Sequence, residues 1–199
     1  SNPCNPTSVG IMKEDVKKII KGTDALVILD EAYMDFWGES VLDAVDEYDN
    51  LIILKTCSKN MGLAALRLGF AVASETIKSA LKGVKSPYNV NAVTQAAADA
   101  VLRHKPMIEA YTAEIVRNRK LLQNAVAELG QSCYAIEKVY DSVTNFVFIK
   151  TSKSEEIYHQ LINRGILVRY MGNYLRVTAG TENENNTFLS ALKEILSMI

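Results

Sequence analysis

The sequence predicts an α/β fold, in which part of a mainly parallel sheet is followed by a small α+β domain. Two apolar runs of strand length, DALVILD at 24–30 and LIILKT at 51–56, indicate strands covered on both faces, as in a parallel sheet. A weaker run, LRLGFAVA at 66–73, predicts a third strand. Past residue 130 short strands and helices alternate, which is typical of an α+β unit.

The middle of the chain is predicted to be mostly helical. SETIKSALKGV at 74–84 has a helical pattern, and a longer helical region runs from about Val90 to Gly130. We expect an interruption near Lys105 and Pro106, because proline lacks a backbone donor and restricts the residue before it. Apolar residues then recur at helical spacing over about 107–130, and Gly130 is predicted to end that helix.

The last third predicts strands at NFVFIK (145–150), GILVRYM (165–171) and YLRVTAG (174–180), with helices from about 154 to 164 and from Glu182. Both helices are preceded by a capping-box pattern, Ser152 with Glu155 and Thr181 with Glu184. We place a domain boundary at the end of the long helical region. The predicted domains are therefore 1–130 and 131–199.

Composition excludes several classes of function. The net charge is −1, from 22 basic and 23 acidic residues, and no basic stripe predicts a nucleic-acid partner. No apolar run approaches the roughly 20 residues of a membrane span. Three cysteines without a Cys-x-x-Cys pair indicate reduced thiols in a cytoplasmic protein. His104 and His159 lie far apart among charged neighbours, so no metal site is predicted.

Four short stretches carry the candidate chemistry: NPCNPT at 2–7, DEAY at 30–33, TCSKNMGLAALRLG at 56–69, and YLRVTAG. Taken alone, each is compatible with a turn, a strand end or a surface lysine, because short patterns recur by chance. Neither Gly-x-Gly-x-x-Gly nor Gly-x-Ser-x-Gly occurs, which disfavours a nucleotide-binding domain and a hydrolase.

Together with SPYNVN at 86–91 and TNFVFIK at 144–150, these stretches resemble the pyridoxal-phosphate (PLP) aminotransferases of the aspartate-aminotransferase fold. The match is closest to the histidinol-phosphate aminotransferases, and it extends over the whole chain. The resemblance implies part of the large-domain sheet in residues 1–130 and the small C-terminal domain in 131–199. It also implies PLP as cofactor, an amino donor and a 2-oxo acid as substrates, and a homodimeric intact enzyme.

The resemblance assigns cofactor ring contacts to four residues. A carbonyl cofactor needs an amine that can be neutral at working pH, and Lys59 matches that lysine. The pyridine nitrogen stays protonated only beside a fixed carboxylate, and Asp30 matches that position. Asn5 and Tyr33 match the donors to the ring oxygen. The Asn5–Pro6 bond is expected to be cis, as is frequent in this motif.

The resemblance also assigns residues to two anionic groups. Arg67 and Ser58 match the cofactor phosphate site, with Thr56 as a supporting candidate. A guanidinium can donate two parallel hydrogen bonds to a phosphate. Arg176 matches the arginine that binds the anionic group of the substrate. Arg169 is a second candidate cation there, although a surface role is equally compatible with its spacing, and Asn145 is a candidate to line the same pocket.

Two departures from the family pattern lead to further expectations. Ser8 stands where the motif usually has glycine, which puts the turn geometry in question. The family carries well over a hundred residues before this motif, including a second phosphate-binding turn and an aromatic that stacks on the cofactor. We therefore interpret the chain as a fragment and expect weak or absent PLP binding. The alternatives are a threonine-phosphate decarboxylase or another aminotransferase of this fold, and a truncated polypeptide without catalytic activity.

Overall fold

Six α-helices and seven β-strands form the fold, and the computed structural model describes residues 1–199. The helices are α1 Lys13–Lys21, α2 Glu75–Val84, α3 Ala92–Leu102, α4 Lys105–Ser132, α5 Ser154–Asn163 and α6 Glu182–Leu196. The strands are β1 Val27–Asp30, β2 Leu51–Thr56, β3 Gly69–Ala73, β4 Ile136–Val139, β5 Phe146–Thr151, β6 Arg169–Tyr170 and β7 Tyr174–Thr178. None of the helices combines the length and apolar character that crossing a bilayer requires.

The chain divides into two units. Unit 1 contains Ser1–Pro3 and Gly10–Thr112, and unit 2 contains Cys4–Val9 and Ala113–Ile199. The division falls inside α4, earlier than residue 130, because Leu122 and Val126 of that helix are buried in the core of unit 2. The assignment of cofactor binding to residues 1–130 stays a prediction.

Unit 1 contains a mixed three-stranded sheet in the order β1-β2-β3, with β1 parallel and β3 antiparallel to β2. All three strands predicted from the apolar runs are present. Helix α1 was not predicted, although Val16 and Ile20 lie one turn apart and both are buried against the sheet core. That core also contains Leu29, Leu51 and Ile53.

The helical region is interrupted as predicted, but it ends later. Helix α3 ends at Leu102 and α4 begins at Lys105. Pro106 lies in the first turn of α4, where backbone N–H groups have no partner within the helix, so the missing N–H costs no hydrogen bond. Gly130 does not end α4, which continues to Ser132. Its role is close packing, because a Cβ at Gly130 would lie 3.1 Å from Cγ2 of Ile136.

Unit 2 contains an antiparallel four-stranded sheet in the order β4-β5-β7-β6. Strand β4 was not predicted, and β6 is shorter than the GILVRYM run suggested. The core packs α5, α6 and the second half of α4 against the sheet, with Val147, Leu161 and Leu192 among its buried members.

One predicted capping box is present and the other is not. Thr181 and Glu184 make both reciprocal bonds at the start of α6. Helix α5 begins at Ser154, its N-cap is Lys153, and no side chain caps it. The Ser152–Glu155 prediction is wrong because the helix starts one residue later than the pattern requires.

Candidate active site

In unit 1 the candidate residues follow the carboxyl ends of two parallel strands. Asp30 is the last residue of β1 and Thr56 is the last residue of β2, and Asp30 pairs in register with Leu54. Because the strands are parallel, both ends lie at the same edge of the sheet, where open α/β sheets bind ligands.

The exposed Asp30 carboxylate is oriented by its own turn. Its Oδ1 accepts a hydrogen bond from the backbone N–H of Ala32 at 3.0 Å, and its backbone oxygen accepts one from Asn2 at 2.9 Å. Asp30 forms no ion pair within the chain. The carboxylate is therefore available to a cationic ligand group.

Lys59 and Tyr33 lie together in this unit. The Lys59 ammonium is 5.0 Å from the centroid of the Tyr33 ring, within cation–π range. Tyr33 is buried, whereas Lys59 is half-buried and its side-chain amine makes no hydrogen bond or ion pair. The arrangement presents an amine without a carboxylate partner, which suits covalent chemistry with a carbonyl group.

The segment after β2 is shaped by backbone bonds. The Thr56 hydroxyl accepts a hydrogen bond from the backbone N–H of Ser58 at 3.1 Å, and the N–H of Cys57 donates to Leu68 at 3.1 Å. The Ser58 side chain is half-buried and makes no hydrogen bond. Thr56 therefore helps to shape the turn, while the Ser58 hydroxyl is available.

Arg67 adopts a left-handed conformation, with φ 54°, at the end of a short 3₁₀ turn over Ala64–Leu66. Its Nη1 donates to the Ala64 carbonyl at 2.9 Å and the side chain is otherwise exposed. Two residues later the sheet requires glycine, since a Cβ at Gly69 would lie 2.7 Å from the backbone oxygen of Lys55. Arg67 keeps free donors for an anion.

A buried carboxylate that the sequence analysis missed stabilises the chain next to Asp30. Glu31 is 0% exposed; its oxygens accept bonds from the Ser40 hydroxyl at 2.6 Å and from the backbone N–H of Val41 at 3.1 Å. Lys55 lies 3.7 Å from Glu31 and 2.6 Å from Asp35. The signal in the sequence was the acid directly after an apolar strand, with a lysine inside the next strand.

The thiol that adjoins this segment is not a nucleophile. Cys57 is fully buried, and burial raises the pKa of its thiol, with a smaller contribution from the negative charge of Asp35. A thiol with a raised pKa stays protonated near neutral pH and reacts slowly. The Lys59 amine is half-buried and Cys57 is fully buried, so the amine is the more accessible of the two groups in this stretch.

In unit 2, Arg176 lies on the sheet face opposite the helix-packed core. Its Nη1 donates to Oδ1 of Asn5 at 2.5 Å, and its guanidinium carbon lies 5.0 Å from the centroid of the Phe146 ring. The buried Nε has no hydrogen-bond partner. Arg176 is half-buried, and the Nη donors that Asn5 does not use suit an anionic ligand.

The structure brings the second candidate arginine beside the first. Arg169 on β6 pairs in register with Arg176 on β7, so both side chains leave the same face of the sheet. Asn145 uses its backbone oxygen to accept a bond from Ala179 at 2.9 Å, and its side chain makes no hydrogen bond. The ligand roles predicted for Arg169 and Asn145 stay predictions.

The two asparagines of NPCNPT have different surroundings. The Asn5–Pro6 bond is cis, as predicted, and so is Asn2–Pro3. Asn2 is buried in unit 1, where its side-chain amide accepts from the N–H of Ile11 at 2.7 Å and donates to the same residue's carbonyl at 2.9 Å. Asn2 therefore serves structure, whereas Asn5 is exposed and contacts Arg176.

Comparison with known proteins identifies the family to which the chain belongs. Residues 1–192 match the family of aminotransferase class I and II, and the chain belongs to that family.

Among individual proteins, the chain is 42% identical over 201 residues to histidinol-phosphate aminotransferase 1 of Carboxydothermus hydrogenoformans, covering 98% of this chain and 56% of the relative. The chain thus spans little more than half the length of that protein. The solved histidinol-phosphate aminotransferase of Clostridium acetobutylicum matches with a TM-score of 0.89 and 25% identity, over 100% of this chain and 63% of that one. The enzyme of Sinorhizobium meliloti in complex with pyridoxal-5'-phosphate has the same fold, with a TM-score of 0.85 and 23% identity, over 99% of this chain and 56% of that one.

Proposed function

We propose that this chain belongs to a PLP-dependent aminotransferase that transfers an amino group between histidinol phosphate and 2-oxoglutarate in histidine biosynthesis. The observation that carries the proposal is the unpaired Lys59 amine over Tyr33, in the segment after β2 and beside the strand that ends in Asp30. The names of the relatives at about 40% identity support the histidinol-phosphate substrate.

The residues present fit PLP. Lys59 is the amine that would hold the cofactor's carbonyl group, and Asp30 is the carboxylate that would keep its ring nitrogen protonated. Tyr33 and Asn5 would bind the ring oxygen, while Arg67, Ser58 and Thr56 would bind the phosphate. When bound, PLP supplies an electron sink for negative charge on the substrate carbon.

Lys59 has a second role in this proposal. Once the substrate amine has replaced it, its amine would remove the proton from the substrate carbon and return it during the reaction. The half-buried setting of Lys59 supports this role because no carboxylate within the chain holds its amine in an ion pair.

The anionic group of the substrate is assigned to Arg176, with Arg169 beside it. The Arg176 Nη donors that Asn5 does not use suit either a phosphate or a carboxylate. Arg176 would therefore orient the amino donor by the end opposite its reacting amine. Substrate profiling of the full-length enzyme, comparing histidinol phosphate with ordinary amino acids, tests the substrate assignment.

The cofactor assignment is tested by reductive labelling of the 199-residue chain. The chain is mixed with PLP, reduced with borohydride, and the modified lysines are mapped by mass spectrometry. We expect the label on Lys59 in preference to the exposed Lys82. Overall affinity is expected to be weak for these residues alone, so the selectivity for Lys59 is the readout.

Three variants sharpen the labelling experiment. Lys59→Ala is expected to abolish the selective label, and Lys82→Ala is the matched control that leaves it unchanged. Asp30→Ala is expected to weaken the label on Lys59 because the ring nitrogen loses its charge partner. Equal labelling of Lys59 and the exposed lysines, unaffected by Asp30→Ala, would remove the assignment.

A further inference from the structure

Ser8 occupies a conformation that usually belongs to glycine. Its φ is 64°, in the left-handed region, and the residue is 1% exposed. A side chain in this region carries a conformational cost, and a buried hydroxyl without partners carries a further one. A serine retained here must therefore be stabilised by its surroundings.

The hydroxyl of Ser8 lies at the centre of a buried polar cluster in unit 2. Its Oγ is 2.6 Å from the Ser142 hydroxyl and 2.7 Å from the Thr144 hydroxyl. It also accepts hydrogen bonds from the backbone N–H groups of Val143 at 3.1 Å and Thr144 at 3.2 Å. Ser142 and Thr144 are both buried, so the three hydroxyls satisfy one another away from solvent.

This cluster fixes one end of a closed turn that carries Asn5. The N–H of Ser8 donates to the Cys4 carbonyl at 2.8 Å, and the N–H of Cys4 donates to the Val9 carbonyl at 2.8 Å. Asn5 lies inside the turn and accepts the hydrogen bond from Arg176. The conformation of residues 4–9 therefore determines where the Asn5 amide lies.

We propose that Ser8 is a positioning residue, whose hydroxyl anchors the 4–9 turn to residues 142–144 and so holds Asn5 against Arg176. The side-chain oxygen of Asn5 is occupied by Arg176, and its NH₂ group is left to donate to a ligand. The ligand role of Asn5 rests on the proposed function, whereas the anchoring by Ser8 does not. Glycine would adopt this left-handed conformation without steric cost, whereas at Ser8 the hydrogen bonds of the hydroxyl offset that cost.

Amide hydrogen exchange of the 199-residue chain without cofactor tests the anchoring. Ser8→Ala and Ser8→Gly both remove the hydroxyl, but only glycine also relieves the left-handed backbone. We expect both variants to lose about tenfold in protection at the Val143, Thr144 and Cys4 amides, as for the loss of one buried hydrogen bond. Full protection in Ser8→Gly would overturn the proposal, because the hydroxyl would then be dispensable.

Ser154→Ala is the matched control. Ser154 is also buried in unit 2, and its hydroxyl donates to the Gly172 carbonyl at 2.5 Å, away from the turn. We expect this variant to reduce overall stability while leaving the protection of Cys4 and Ser8 unchanged. Loss of turn protection in Ser154→Ala equal to that in Ser8→Ala would show a general loss of structure and refute a positioning role.

The NMR signals of the Asn5 side-chain amide provide the second readout, assigned by their absence in Asn5→Asp. They are expected to shift in Ser8→Ala and Ser8→Gly, and to stay in place in Ser154→Ala. Unchanged Asn5 signals in both Ser8 variants would contradict the proposal even if labelling of Lys59 succeeds. Shifted Asn5 signals without selective labelling of Lys59 would support the anchoring and defeat the proposed function instead.

Discussion

The two units present their candidate residues in different ways. In unit 1, Asp30 is the last residue of β1, and Ser58, Lys59 and Arg67 lie in the turns between β2 and β3. In unit 2, Arg169 and Arg176 project from paired positions of a sheet. The conformation of a turn depends on hydrogen bonds such as those that Glu31 accepts, whereas the pleat of a strand sets the direction of its side chains. The comparison indicates that candidate residues in turns, including Asn5 of unit 2, need more supporting interactions than the two arginines on the sheet.

The units also differ in how well their sheets are covered. Residues 146–149 of β5 in unit 2 are all buried, by the helical core on one face and by aromatic contacts such as Phe148 stacked on Tyr174 at 4.8 Å on the other. In β1 of unit 1 Leu29 is buried but Ile28 is 57% exposed. Unit 1 therefore leaves apolar sheet surface uncovered within this chain.

The largest expected effect comes from the core of unit 2. Leu161 is fully buried between α5 and the sheet, so Leu161→Ala should lower the free energy of unfolding by about 3 kcal/mol. Leu167→Ala is the control, since Leu167 is exposed and should change stability by less than about 0.5 kcal/mol. Urea unfolding followed by circular dichroism measures both. Equal effects would mean that the core is not packed as described.

The next effect concerns the support of the unit 1 site. Glu31→Ala removes the acceptor for Ser40 and Val41 and should cost about 2 kcal/mol, because buried donors are left without partners. Glu47→Ala, at an exposed position, is the control and should be nearly neutral. Reductive labelling of Lys59 should also fall in Glu31→Ala. A stable variant with normal labelling would show that the turn does not depend on this carboxylate.

A smaller effect on stability distinguishes the capping box that is present, at α6, from the one that is absent at α5. Thr181→Ala should cost about 1 kcal/mol in unfolding free energy, because α6 loses its side-chain cap. Ser152→Ala should change nothing measurable, since Ser152 makes no cap at α5. Thermal unfolding of the two variants side by side gives the answer. A larger loss in Ser152→Ala than in Thr181→Ala would reverse the assignment.

The capping box of Thr181 and Glu184 also predicts a modest pH dependence of the free energy of unfolding. The backbone N–H and hydroxyl of Thr181 donate to Glu184 and lower the pKa of that carboxyl below its usual 4.5. A lowered folded pKa means that the stabilisation is present above pH 4.5 and is lost as the pH falls through the folded value. The stability difference between the wild type and Glu184→Gln should therefore shrink on acidification from pH 6 to pH 3. A difference that grows toward low pH would contradict this sign.

The smallest expected change tests the uncovered face of unit 1. Ile28→Thr keeps a β-branched residue on β1 at an exposed position and should alter unfolding free energy by less than about 0.5 kcal/mol. Ile53→Thr is the contrast, because Ile53 is fully buried on β2 and the hydroxyl would be left in the core. A large cost for Ile28→Thr, measured by urea unfolding, would show that this face is covered in solution.

The sequence alone predicted much of the secondary structure and most of the candidate residues. Long apolar runs identified β1, β2 and β5 because a run of strand-length apolar residues is a local pattern, although within this chain β1 is covered on one face only. Thr181 was recognised as a cap because its partners lie within four residues. The stretches around Asn5, Lys59 and Arg176 were recognised because their order resembles a family.

Tertiary structure alone decided the features that join distant residues. Ser8 appeared only as a departure from a glycine, since its partners Ser142 and Thr144 lie more than 130 residues away. The hydrogen bonds that Ser40 and Val41 donate to Glu31 left no pattern in the sequence. The strand register, and not the sequence, determined that Arg169 lies beside Arg176. Periodicity and motifs record interactions between near neighbours along the chain, whereas buried polar networks depend on how the strands and turns pack in space.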